Sequence, residues 1–180
     1  MTKKALNQNA KYDQKFIDFI EPDFEFSNKS LDRFKSIETD DYNFNKDKAK
    51  LLKNLKEKID SIENCNLKNN SKKLVMGDGD ITSPIMLIGE APGELEDNSG
   101  KSFQGEIGSL LRKMLAAISI KIEKVYLTYS INFRPPEDRR PSTQEIKRYS
   151  IFLKEHISII NPKIVILMGS TAMEAVTGLN

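Results

Sequence analysis

Three stretches of the sequence hold residues whose types and spacing suit chemistry. The first, Gly89-Glu90-Ala91-Pro92-Gly93, sets a carboxylate between two glycines and a proline. Glycine lets a backbone approach a ligand closely, and proline stiffens the turn. Glu90 then serves either as a base or water-positioning group, or as a cap for a helix or turn. The second is Phe103, set between Ser102 and the Gly105/Gly108 pair. Such an aromatic either stacks on a planar ligand or plugs the core. The third is the loop NFRPPEDRRPS, where Arg134, Arg139 and Arg140 stand among prolines. It is rigid and basic, suited to phosphate contact or to forming a solvated charge cluster. Glu94, Glu96 and Asp97 suggest a divalent cation, but consecutive acids in a loop are more often solvated. Cys65 has no companion thiol and reads as a packing residue. His156, with Ile157 and Ile160 near it, reads as structural or exposed. No GxGxxG and no GKS or GKT follows a strand, which excludes the dinucleotide fingerprint and the P-loop.

The elements that must position these loops alternate. Ile85–Ile88, Val125–Ile131 and Ile164–Met168 are apolar runs of strand length. Between them the pattern predicts a helix over Ser109–Ile118, with Leu110, Leu111, Met114, Leu115 and Ile118 facing inward. A second helix runs from a capping box, Ser142 with Glu145, to about Ile160 before Pro162. A last helix covers Thr171–Val176. Upstream, a helix from about Asn45 to Asn64-Cys65 carries Leu51, Leu55, Ile59 and Ile62 on one face, followed by a short strand candidate at Leu74–Met76. The segment GEAPGELEDNSGKSFQGEIG, residues 89–108, reads as loop. Apolar strands alternating with helices predict an α/β fold with a parallel sheet covered on both faces. Ligands then bind beyond the carboxyl ends of the strands, where GEAPG and NFRPP both lie.

The chain has 180 residues, with 28 Lys and Arg against 26 Asp and Glu, a net charge of +2. That excludes coating nucleic acid by bulk charge, so any such contact must be local. One cysteine and one histidine exclude an intramolecular disulfide, an all-cysteine metal site and a two-histidine zinc site. No apolar run is long enough for a membrane span, and the first residues lack the apolar core of a signal peptide. The expected setting is the cytoplasm, with no membrane partner. Residues 1–45 are polar, with scattered aromatics from Tyr12 to Phe44 and no lasting period. They read as a mostly disordered leader with a short helix near Asp13–Ile20, preceding a domain over 46–180.

The run GEAPGELEDNSGKSFQGEIGSLLRKMLAAI resembles the first motif region of family 4 uracil-DNA glycosylases. VYLTYSINFRPPEDRRPSTQEI is similar to the second, and PKIVILMGSTAMEAVTG to the next strand and glycine turn. The resemblance covers about Ile62–Gly178. It implies a three-layer α/β/α sandwich and hydrolysis of the bond joining uracil to deoxyribose, with the uracil flipped from the stack. It implies that Glu90 helps position the attacking water, that Gly89, Ala91, Pro92 and Gly93 line the pocket, and that Phe103 stacks on the uracil. Arg134, Arg139 and Arg140 would lie near the DNA backbone or shape the rim. The implied partners are uracil-containing DNA and other base-excision repair proteins.

The departures from the family are specific. Most members hold an iron–sulfur cluster on four cysteines; here those positions resemble Ile62, Cys65, Phe133 and Tyr149. One thiol cannot hold a cluster, so no cofactor and no metal is expected, and Phe133 and Tyr149 are expected to pack together in its place. The pocket asparagine that reads the uracil edge falls at Tyr129, which exchanges an amide for one hydroxyl. Asn132 is close but shifted by three. The family continues past Gly178 with another strand and a histidine loop. The sheet is therefore expected to have an open edge at Ile164–Met168, and this chain to be a shortened form with weak or no activity alone. Two rival classes stand beside this: a non-catalytic uracil- or DNA-binding module, and an unrelated α/β nucleotide-binding enzyme.

Overall fold

The computed structural model describes residues 38–179, with side chains from residue 47 onward. The helix expected near Asp13–Ile20 and residues 1–37 of the expected leader lie outside the described residues. Helix α1, Glu38–Asp60, starts ahead of the expected Asn45 and ends before Asn64-Cys65. Its inward stripe is Lys48, Leu52, Leu55 and Ile59, at three- and four-residue spacing. Leu51, expected inside, falls off that stripe and is exposed. Lys48 is buried, yet its Nζ donates to the carbonyl of Ile160 at 2.7 Å. It thereby closes an orphan carbonyl at the end of a later helix. Burial lowers the pKa of its ammonium, with Asp80 opposing. A short helix α2, Asn66–Asn70, follows.

Four strands form one sheet in the order β1-β3-β2-β4: β1 Asp78–Gly79, β2 Ile85–Gly89, β3 Tyr126–Tyr129 and β4 Ile164–Leu167. β2 lies parallel to both β3 and β4, with Gly89 opposite Tyr129 and Ile88 opposite Leu167. The two-residue β1 pairs antiparallel to β3, so the sheet is mixed rather than wholly parallel. The early strand sits at Asp78–Gly79 and not at Leu74–Met76. Val75 instead gives its N–H to the carbonyl of Asn132 at 2.9 Å and takes the Asn132 Nδ2 at 3.0 Å, tying that segment to the loop after β3.

Alternation along the strands divides the core. Leu87, Leu127 and Tyr129 face one side, where helix α4, Gly105–Ala117, brings Leu111 and Leu115. Met86, Ile88 and Tyr126 face the other, against α5, Thr143–Ile160, and α6, Ser170–Thr177, through Ile146, Leu153, Ile160, Ala172 and Ala175. The result is the α/β/α sandwich. Each large aliphatic side chain buried here contributes about 1.5–3 kcal/mol. α4 starts earlier than Ser109, and Leu110, Met114 and Ile118 are exposed rather than inward. The helix is apolar on two adjoining stripes, and the sheet takes only the one through Gly108, Leu111 and Leu115. The capping box of α5 forms as expected: Glu145 N–H reaches Ser142 Oγ, and Glu145 Oε2 accepts from Ser142 N–H at 2.7 Å. Among the described residues β4 is an edge strand, and Ile164, Val165 and Ile166 are exposed. No helix among them is long and apolar enough to cross a membrane.

Candidate active site

The carboxyl ends of β2, β3 and β4 converge on a cavity of about 470 Å³. Gly89 through Gly93 form one wall of it. Phe103, Tyr129 and Pro135 are buried residues of its lining, Met168 is half-buried, and Ile107, Asp138 and Arg139 are exposed. The segment after Gly93, expected as loop, is a short helix α3, Glu94–Ser99. Glu90 is half-buried, and its carboxylate makes no hydrogen bond or ion pair to other described residues. A Cβ placed on Gly169 would stand 4.0 Å from Glu90 Oε2, so the carboxylate sits between the ends of β2 and β4. It is held by backbone placement alone and is open to a water or ligand.

Phe103 and Tyr129 meet at the bottom. Their rings stack with centroids 4.8 Å apart and planes 18° from parallel. Phe103 N–H donates to Tyr129 Oη at 2.9 Å. The rings are nearly sealed, with Phe103 2% and Tyr129 6% exposed. Two features bring them together. Gly89 has no side chain opposite Tyr129; a Cβ there would lie 2.9 Å from Phe103 Cζ and from Tyr129 Cδ1 and Cε1. Phe103 also holds a left-handed backbone, φ 50°, which costs about 1–3 kcal/mol and is sustained by the packing around it. Burial raises the Tyr129 phenol pKa; the Phe103 N–H opposes this and the Glu96 carboxylate adds to it, so the hydroxyl stays protonated. Asn132, the shifted amide, is committed to Val75 and does not line the cavity.

Glu96 and Asp97 are not solvated loop acids. Both are buried, Glu96 against the cavity. Glu96 Oε2 accepts from Gly93 N–H at 3.0 Å and Oε1 from Gln104 N–H at 2.8 Å, stapling the GEAPG turn to the segment carrying Phe103. Asp97 Oδ1 accepts from the Lys72 and Lys73 N–H groups at 2.8 and 3.1 Å. The one legible signal is a glutamate three residues after Gly93, from where a carboxylate reaches back to the N–H of the residue that opens α3. Among the described residues no group of His, Cys, Asp and Glu is placed to hold a metal ion.

The three arginines are each tied to an acid of this chain. Arg134 grips Asp138 with two bonds of 2.7 Å, and Arg139 grips Glu145 at 2.7 and 2.8 Å. Arg140 lies 3.6 Å from Glu174. The Arg139 contact, then the bond from Ser142 N–H, holds the Glu145 carboxyl down at about 2. The loop is thus charge-balanced, and of the three only Arg139 lines the cavity. A phosphate there would compete with a carboxylate.

Ile62, Cys65, Phe133 and Tyr149 come together below α1. Phe133 and Tyr149 pack edge to face at 6.4 Å and 73°, Cys65 Sγ lies 3.2 Å from Tyr149 Oη, and Ile62 packs against the same cluster. One thiol among apolar and aromatic groups does not fit a four-thiolate cluster. His156 is also structural: it is buried, its Nε2 is 2.9 Å from Tyr126 Oη, and burial pulls its pKa down to about 4.

Comparison with known proteins adds lineage to this geometry. A sequence model of the uracil DNA glycosylase superfamily matches residues 76–180. The type-4 uracil-DNA glycosylase of Thermotoga maritima is 34% identical over 126 residues, covering 70% of this chain and 66% of the relative. That of Archaeoglobus fulgidus is 33% identical over 128 residues, covering 71% and 64%. That of Sulfurisphaera tokodaii is 38% identical over 119 residues, covering 66% and 54%. The matched region therefore spans between about half and two thirds of these relatives' length.

Proposed function

The chain belongs to the uracil DNA glycosylase superfamily, and from that premise we propose that its cavity receives a uracil flipped out of DNA for hydrolysis of the N-glycosidic bond. One observation carries the proposal: Glu90, Phe103 and the GEAPG backbone surround one cavity of about 470 Å³ at the carboxyl ends of the parallel strands. That volume accommodates a nucleoside, and flipping costs a few kcal/mol that pocket contacts must recover. Glu90, with no other partner among the described residues, positions the water that attacks the sugar carbon. Arg139 sits where a phosphate would pass, and its exchange between Glu145 and DNA makes binding salt-sensitive. Phe133 and Tyr149 fill the space of the family's iron–sulfur cluster, so the protein works without one. The proposed setting is the cytoplasm, with uracil-bearing DNA as substrate and other base-excision repair proteins as neighbours.

The test is single-turnover release of uracil from a single-stranded oligonucleotide, with the protein in excess. Slow release that falls at least about tenfold in Glu90→Gln, at unchanged melting temperature, supports the proposal. Equal release by both removes Glu90 from the mechanism.

A further inference from the structure

We propose that Tyr129 is a built-in occupant of the base-stacking slot, standing where a flipped pyrimidine would lie on Phe103 and so restricting which bases the cavity accepts. The inference rests on reading the cavity as a base pocket and concerns how that pocket selects.

A pyrimidine bound against Phe103 has three requirements. Its ring must lie on the phenylalanine face, a carbonyl must take up a nearby donor, and the floor beneath must be free of side chains. Tyr129 meets all three from within the chain. Its six-membered ring stacks on Phe103 at 4.8 Å and 18°. Its single exocyclic oxygen accepts the Phe103 N–H at 2.9 Å, the bond a base carbonyl would take. Its ring edge rests on Gly89, where even a methyl group would come within 2.9 Å of both rings. Phe103 is 2% exposed, so little of its ring is left free to the rest of the cavity that it lines.

The position follows from the register. Tyr129 ends β3 directly opposite Gly89, which ends β2, so its side chain falls on the cavity side beside the GEAPG turn. The occupant is also anchored chemically. The Glu96 carboxylate, which ties Gly93 to Gln104, lies beside the phenol and disfavours its ionisation. A flipped base must therefore displace a stacked, hydrogen-bonded and protonated phenol before it can reach Phe103. The remaining volume, toward Glu90, Met168 and Arg139, stays open.

The experiment uses free ligands and needs no catalysis. Phenol, uracil and thymine are titrated against the parent chain and against Tyr129→Ala, Tyr129→Asn and Tyr129→Phe, each first checked for folding by circular dichroism. Phenol is expected to raise the melting temperature of Tyr129→Ala and to leave the parent and Tyr129→Phe unmoved. Uracil is expected to bind Tyr129→Asn at least about tenfold more tightly than the parent, because an asparagine amide presents both a donor and an acceptor. Parent chain that binds uracil as tightly as Tyr129→Asn would overturn the inference. So would a folded Tyr129→Ala that ignores phenol. If Tyr129→Ala does not fold alone, phenol-dependent folding supports the slot, and the uracil comparison with Tyr129→Asn decides it. Phenol rescue without any uracil binding by Tyr129→Asn upholds the slot and overturns the uracil reading of the cavity.

Discussion

Gly89→Ala places a methyl group where the structure has room for none. The added Cβ would meet Phe103 Cζ, Tyr129 Cδ1 and Tyr129 Cε1, all at 2.9 Å. These are atoms of sealed rings and not the ends of flexible chains, so the rings or the strand must shift. Overpacking of this kind costs about 1–3 kcal/mol. In a domain of this size that lowers the melting temperature by about 2–12 °C. The decisive assay is a double-mutant cycle by urea unfolding. Tyr129→Ala alone leaves a hole and costs about 3–5 kcal/mol. In that background two of the three close contacts of the new methyl are gone, and only Phe103 Cζ remains. Gly89→Ala should then cost at least about 1 kcal/mol less than it does in the parent chain. Equal costs in the two backgrounds would show that the methyl does not meet Tyr129, and the ring sandwich at the base of the cavity would be wrong.

Other outcomes follow from the same structure. His156 titrates near 4 in the fold and near 6.5 in the unfolded chain. Its stabilising effect is whole above about pH 6.5 and is lost as the pH falls toward 4, amounting to about 3 kcal/mol; urea unfolding at pH 7, 5 and 4 should show this slope, flattened in His156→Gln. Glu96→Ala strips the acceptor from the Gly93 and Gln104 N–H groups and should cost about 2–4 kcal/mol, whereas Glu94→Ala, on an exposed side chain, should cost less than about 0.5. Treatment with a strong iron chelator under reducing conditions should leave the melting temperature unchanged, since Phe133, Tyr149 and Ile62 supply apolar packing and no thiolate; a large drop would show a bound cluster.

Much of this arrangement was legible in the sequence. The strands at Ile85 and Val125 are continuous apolar runs because both faces of the sheet are covered there, whereas the equally apolar run at Ile164 is exposed along the edge. The ends of α5 were marked by Ser142 with Glu145 and by Pro162. The pairing of Phe133 with Tyr149 was also foreseen, because two aromatics at ligand positions leave a volume that something must fill. Other features depend on partners far apart in sequence. Leu110, Met114 and Ile118 match the helical period as well as Leu111 and Leu115 do; only the angle at which α4 meets the sheet selects between the stripes. Glu96 and Asp97 look like solvated acids until the N–H groups of residues 72, 73, 93 and 104 are brought to them. Tyr129 was legible as a lost amide, but not as a ring on Phe103, because the contact spans 26 residues and depends on a bare glycine in the neighbouring strand.

The central claim is that a flipped uracil belongs on Phe103, in the place Tyr129 now takes. The most direct measurement is a crystal structure of the Glu90→Gln, Tyr129→Asn protein bound to a short single-stranded oligonucleotide with one uracil. The account predicts the uracil ring stacked on Phe103 with centroids about 4.5–7 Å apart, a carbonyl on the Phe103 N–H, and the glycosidic bond facing residue 90. A uracil left in the strand, or seated elsewhere with the slot empty, would contradict it.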